Sequence, residues 1–168
     1  MTSPNSSPEP LLLEAQVGER LRACGLTLAV AESSTGGLIA ERLTDIAGSS
    51  AYLIGGVIAY ADSVKEHLLS VQGETLRAHG AVSAPVAQQM AEGARILLRA
   101  DLAISVTGIA GPSGGTATKP VGLHFVGLST AEGAWVRHHV FAGDRRRVRH
   151  AAADAALQLL LDYLDGKL

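Results

Sequence analysis

Apolar residues recur at helical spacing at Leu13, Val17 and Leu21 within residues 11–23, and Gly25 stands just beyond as a C-terminal stop. The period then changes. Residues 26–31 form a short continuous apolar run, the pattern of a strand covered on both faces, and residues 38–47 return to a helix. Residues 52–61 are apolar and β-branched with Gly55 and Gly56 inside them, which predicts a strand with a bulge or a close backbone approach. Asp62 or Ser63 can cap a helix running to residue 71, and residues 74–79 make a short helix before Gly80. Ser83 and Pro85 announce a long amphipathic helix to residue 99, with Val86, Met90, Ala94 and Leu97 expected inward. Residues 101–107 read as another buried strand. Residues 121–130 and 134–142 read as two more, joined near Glu132 and Gly133, and Asp144 caps a last helix to about residue 164.

Strands alternating with helices, then a late hairpin, predict an α/β protein: a single three-layer α/β/α domain whose central mixed sheet is flanked by helices on both faces. Residues 1–10, rich in Ser and Pro, are expected to be a disordered tail, leaving residues 11–168 as the domain. Residues 108–120 are rich in Gly, Pro, Ser and Thr and too long for a tight turn, so they are expected to be a functional or mobile loop.

A chain of 168 residues, 47% hydrophobic and 18% charged, is long and apolar enough to fold on one core without staples. A net charge of −2 argues against general nucleic-acid binding, which needs clustered Lys and Arg; only Arg145 to Arg147 are locally basic. Cys24 is the sole cysteine, which rules out an internal disulfide and fits a reducing compartment. No apolar stretch approaches the roughly 18 residues of a membrane span, and the start lacks the layout of a signal peptide. A cytoplasmic protein without membrane partners is expected. The six histidines show no metal-binding spacing, so no metal and no cofactor is expected.

The chemistry gathers at the turn Glu32-Ser33-Ser34-Thr35-Gly36-Gly37, where a buried strand gives way to a helix. The free N–H groups at such a helix start suit an anion or an oxyanion. Ser33, Ser34 and Thr35 equally suit helix capping. The flanking residues differ from the G-x-S-x-G elbow of α/β-hydrolases. If Ser33 attacks a carbonyl, a base must take its proton, and no His-Asp pair stands out. Lys65, in the first turn of the next helix, is the candidate, because the positive helix end and burial both favour a neutral amine there; an ordinary solvated Lys beside Glu66 is the alternative. The glycines of residues 108–115 permit close backbone approach to a ligand, with Thr107 at the strand end, although the ending of a P-loop is missing. An anion beside Arg145 would relieve the placing of cations at a helix start.

Seven segments in order, AESSTGG, IAGSSAY, AYADSVK, HGAVS, SVTGIAGPSGG, KPVG and FAGDR, resemble the CinA C-terminal-domain family from about residue 11 to the end. Characterised members are nicotinamide-nucleotide amidases. The resemblance implies hydrolysis of the carboxamide of nicotinamide mononucleotide to nicotinate mononucleotide and ammonia, without metal. Position by position, it implies Ser33 as nucleophile, Lys65 as general base, Tyr60 as a hydroxyl that relays or orients the proton, and Thr107 as an ordering residue. Ser34, Thr35, Gly36, Gly37, Gly108 and Gly111 are then expected to contact the oxyanion or phosphate, with Ser49, Ser50 and Arg145 as further phosphate candidates. Two departures stand out. Many members carry Cys at the position of Ser34 and Asn at that of Asp62; a carboxylate at residue 62 favours a charged Lys65 and works against its role as a base. The chain resembles the stand-alone form of the family and is expected to self-associate. A non-catalytic mononucleotide-binding or assembly module is the alternative reading.

Overall fold

The computed structural model describes residues 11–168; the expected tail, residues 1–10, lies outside them. Helix α1 (Leu13–Cys24) buries Val17 and Leu21 and stops at Gly25, whose φ of +66° is the left-handed conformation that glycine adopts without penalty. It leads into β1 (Leu28–Glu32), α2 (Leu38–Thr44), a 3-10 turn (Ser49–Ala51) and β2 (Leu53–Ile58). Then come α3 (Asp62–Leu69), α4 (Gly73–His79) and α5 (Ala84–Leu98) before β3 (Leu102–Gly108). A hairpin of β4 (Leu123–Ser129) and β5 (Ala134–Val140) and the closing helix α6 (Arg145–Leu164) complete the chain.

The sheet order is β2-β1-β3-β4-β5, with β1 parallel to both β2 and β3 and the last two pairings antiparallel. This is the expected mixed sheet. Alternation along the strands sends neighbours to opposite faces. Val30, Ile104 and Val126 join a core with Val17 of α1, Ile39 of α2 and Leu157 of α6. Ala29, Ala31 and Ala103 face the other way, onto Leu69 of α3, Leu76 of α4 and Met90 of α5. Small residues dominate that second face, so α5 lies close against the sheet. Toward α3 it is Gly93 that lets α5 approach, since an added Cβ there would sit 1.9 Å from the Leu69 carbonyl oxygen.

Two local expectations are corrected, and a third is met. Leu97 is 48% exposed, because the buried stripe of α5 follows Val86, Ala87, Met90, Ala91 and Ala94, and Leu98 continues it. Neither Asp62 nor Ser63 caps α3: Ala61 occupies the cap position, and the Asp62 carboxylate turns to Lys65 one helical turn on. The expected irregularity of β2 lies between its first pairings, where Leu28 faces Leu53 but Ala29 faces Gly55. Gly56 provides the close approach, since a Cβ there would fall 2.4 Å from Val30 Cγ2.

The chain leaves β1 toward β2 on one side and leaves β3 toward β4 on the other. A crevice at the carboxyl ends of β1 and β3 follows from that divergence, as in open α/β sheets generally.

Candidate active site

A cleft of about 300 Å³ opens at this divergence, lined by Ser33 and Ser34 after β1, Tyr60 after β2, Lys65 of α3, Thr107 and Gly108 of β3, Gly111 of the following loop and Arg145 of α6. Six segments separated by as many as 112 residues thus meet at one sheet edge.

Ser33 is seated by its backbone. Its N–H donates to the Val106 carbonyl at 3.0 Å, and its own carbonyl accepts from the Gly36 N–H at 3.1 Å. Gly36 and Gly37 adopt φ values of +60° and +100°, which bend the chain from strand into helix. No hydroxyl caps α2, contrary to the capping expectation for Ser33, Ser34 and Thr35. The cap is Glu32. Its carboxylate, 1% exposed, accepts from the N–H groups of Gly37 at 3.0 Å, Ile39 at 3.1 Å and Ala40 at 2.9 Å. An internal anion therefore occupies the positive helix end that the sequence offers to a ligand.

That occupancy changes which donors face a substrate. Both glycine N–H groups of the turn are spent within the protein, so Gly36 and Gly37 shape the turn and do not donate to a ligand in this arrangement. The N–H groups of Ser34 and Thr35 have no acceptor among the described residues, nor do those of Ala110 and Gly111. The Ser34 and Thr35 hydroxyls are buried and likewise lack a partner.

Lys65 is 1% exposed, and its ammonium donates to Asp62 Oδ1 at 3.1 Å and to the Tyr60 carbonyl at 3.3 Å. It lines the same cleft as Ser33, and no hydrogen bond joins the two side chains. The solvated-Lys alternative is thereby excluded. Tyr60 meets Lys65 through its main chain; its phenol oxygen instead accepts from Arg145 Nη2 at 3.0 Å. The other arm of Arg145 donates to the Gly111 carbonyl at 2.7 Å. Arg145 thus ties the edge of the cleft at Tyr60 to the glycine loop.

Thr107 donates its hydroxyl to the Ala81 carbonyl at 2.8 Å, tying β3 to the segment before α5. Gly108 is required by packing: a Cβ there would fall 2.1 Å from the His124 ring. At Gly111, with φ +79°, a Cβ would fall 2.5 Å from Val121. Ser49 and Ser50 are not brought to the cleft. They lie in the turn that precedes β2, at the opposite end of the sheet from Tyr60, which follows it. Beyond Arg145 the surface continues as a basin of about 630 Å³ lined by Gly36, Gly37, Arg145, Arg146, Arg149 and His150. Among the described residues no carboxylate pairs with Arg145, Arg146 or Arg149. No cluster of potential metal ligands occurs among the described residues.

Reasoning from sequence misses Glu32 and Arg149. A Glu directly before a serine turn is a readable capping signal once the helix start is placed at Leu38, because its carboxylate can reach back over the first turn. Arg149, 115 residues from Ser34, carries no such signal.

A mixed α/β sheet with a serine turn and a buried lysine at its strand-end crevice defines an α/β protein with an enzyme-like cleft. More narrowly, residues 11–164 match the family described as CinA C-terminal domain, and the chain belongs to that family. It is 47% identical over 154 residues to a CinA-like protein of Sulfurihydrogenibium sp., covering 92% of this chain and 38% of that protein. A CinA-like protein of Syntrophus aciditrophicus is 51% identical over 153 residues, covering 90% and 36%. The chain thus spans under two-fifths of the length of these curated relatives. Among solved structures, a competence/damage inducible protein of Agrobacterium tumefaciens superposes with a TM-score of 0.85 at 42% identity, covering 95% of this chain and 99% of that one. A CinA superfamily protein of Klebsiella pneumoniae gives 0.88 at 34% identity, covering 92% and 96%.

Proposed function

We propose that the protein is an amidohydrolase that converts nicotinamide mononucleotide to nicotinate mononucleotide and ammonia through a Ser33/Lys65 pair. The observation that carries this reading is the convergence of a nearly buried serine and a buried lysine on one cleft, beside backbone N–H groups that lack acceptors among the described residues. Ser33 Oγ attacks the carboxamide carbon while its proton passes to the neutral Lys65 amine. The oxyanion is met by donors from the turn and from the loop at Ala110 and Gly111. Collapse expels ammonia, which takes the proton back, and leaves an ester on Ser33. Water attacks the ester, Lys65 again relays the proton, and the carboxylic acid leaves. The phosphate of such a substrate fits the side of the cleft at Arg145, whose guanidinium forms no ion pair among the described residues.

Ammonia and nicotinate mononucleotide formation by the wild type, Ser33→Ala and Lys65→Ala tests this reading. Either substitution is expected to lower kcat by about 10³-fold or more, the scale of loss when one member of a nucleophile–base unit is removed. Turnover that survives Ser33→Ala contradicts it. One observation favours a second reading: Lys65 is held by Asp62 and not by Ser33. Tight mononucleotide binding without hydrolysis from about pH 7 to 9 would select a non-catalytic nucleotide-binding module.

A further inference from the structure

The guanidinium of Arg149, on the second turn of α6, reaches the turn that carries Ser33. Its Nε donates to the Ser34 carbonyl at 3.1 Å and its Nη2 to the Thr35 carbonyl at 2.5 Å. We propose that Arg149 is a positioning residue for the nucleophile, a fork that fixes the Ser34–Thr35 and Thr35–Gly36 peptides and so aims both the serine and the free Thr35 N–H. The proposal rests on the reading of Ser33 as the nucleophile.

Three features support it. The side chain is half-buried and pairs with no carboxylate among the described residues, so its interactions there go to these two carbonyls and not to an ion pair. A planar trans peptide points its N–H opposite to its C=O, so holding the Ser34 carbonyl directs the Thr35 N–H away from Arg149. That N–H is one of the donors with no protein acceptor. By the same geometry, holding the Thr35 carbonyl directs the Gly36 N–H, which donates to the carbonyl of Ser33 itself. The fork therefore acts on Ser33 through one peptide and on an oxyanion donor through the other. Glu32 fixes the downstream half of the turn from its own side. A lysine at residue 149 would keep the charge but not the rigid two-point geometry.

The test compares wild type, Arg149→Lys and Arg149→Ala in amide turnover and, separately, in the rate at which a fluorophosphonate labels Ser33. Both substitutions are expected to lower kcat by about 10²-fold with KM within about threefold, as a misplaced reacting group does. Labelling should slow in parallel, and methylguanidinium should partly restore Arg149→Ala. Labelling and kcat within twofold of wild type in a folded variant overturn the proposal while leaving the amidase reading intact. If Arg149→Ala does not fold, Arg149→Lys decides by the same two rates. A wild type that labels at Ser33 but hydrolyses no nicotinamide mononucleotide overturns the amidase reading, and the labelling rates still decide the role of Arg149. A wild type that neither hydrolyses nor labels overturns both.

Discussion

Asp62 sets the electrostatic condition of Lys65. Its carboxylate lies 3.1 Å from the buried ammonium, while its own side chain is largely solvated. The proposed chemistry asks Lys65 to take a proton from Ser33, whereas its side-chain nitrogen is engaged with this carboxylate. Asp62→Asn keeps the shape and removes the charge that engages the amine, so it is expected to raise amide turnover several-fold; kcat measured for the two proteins checks this. Ser33 and Lys65 are legible in the sequence because each sits at a recognisable boundary, the end of an apolar run and the first turn of a helix. The partners that orient them are not. The phenol of Tyr60 lies with Arg145, an assignment that depends on where the chain brings α6, 85 residues later. Ser49 and Ser50 look as polar and as local as Ser33, and only the direction of β2 places them at the wrong end of the sheet.

Helix α3 and the segment leading into α5 wall the cleft on the Lys65 side, and the approach of α3 to α5 depends on an absent side chain. A Cβ at residue 93 would fall 1.9 Å from the Leu69 carbonyl oxygen and 2.8 Å from its Cα, backbone atoms that can yield only if the helices separate. Gly93→Ala is therefore expected to destabilise the fold by about 1–3 kcal/mol despite its better helix propensity, as measured by urea unfolding. Activity at low temperature should fall with it if α3 shifts. This contact shows the limit of pattern reading at the element scale. Every predicted element forms within a few residues of its expected ends, because apolar period and capping residues are local signals. The sequence between residues 84 and 98 contains an isolated glycine that looks like a mild helix defect, and only the packing of α5 on α3 reveals its purpose. Leu97 fails for a related reason: 3.6 residues per turn carries the buried stripe from Ala94 to Leu98, so the apolar residue one position earlier turns outward.

At the scale of the molecule, the antiparallel half of the sheet braces the half that carries the cleft. His124 of β4 is fully buried against Gly108, its Nδ1 3.0 Å from the Gly122 carbonyl and its Nε2 without a partner among the described residues. Burial holds its pKa below the ordinary histidine value, and the same holds for His139 opposite it. In the unfolded chain these rings protonate near about 6.5, whereas the folded state keeps them neutral to lower pH. The unfolded state thus binds more protons below that value. Stability should be full above about pH 6.5 and fall on acidification, by at most about 1.4 kcal/mol per pH unit for each histidine. Urea midpoints measured from pH 7.5 to 5 check this, and His124→Asn should flatten the slope whatever its effect on absolute stability. The architecture itself was readable, since strands separated by helices followed by a hairpin leave few arrangements. That β1 would lie between β2 and β3, opening the crevice at Ser33, follows from packing and crossover direction and not from any one residue.

The central claim is that Ser33 forms a covalent acyl intermediate with the carboxamide of nicotinamide mononucleotide. Rapid acid quench of the wild type during the first turnover, followed by peptide mapping by mass spectrometry, tests it directly. The predicted result is an adduct of the nicotinate mononucleotide acyl group on the tryptic peptide spanning residues 23–42, located at Ser33 and absent from Ser33→Ala. Product release with no adduct at any quench time, or an adduct carried by Ser34, would contradict it.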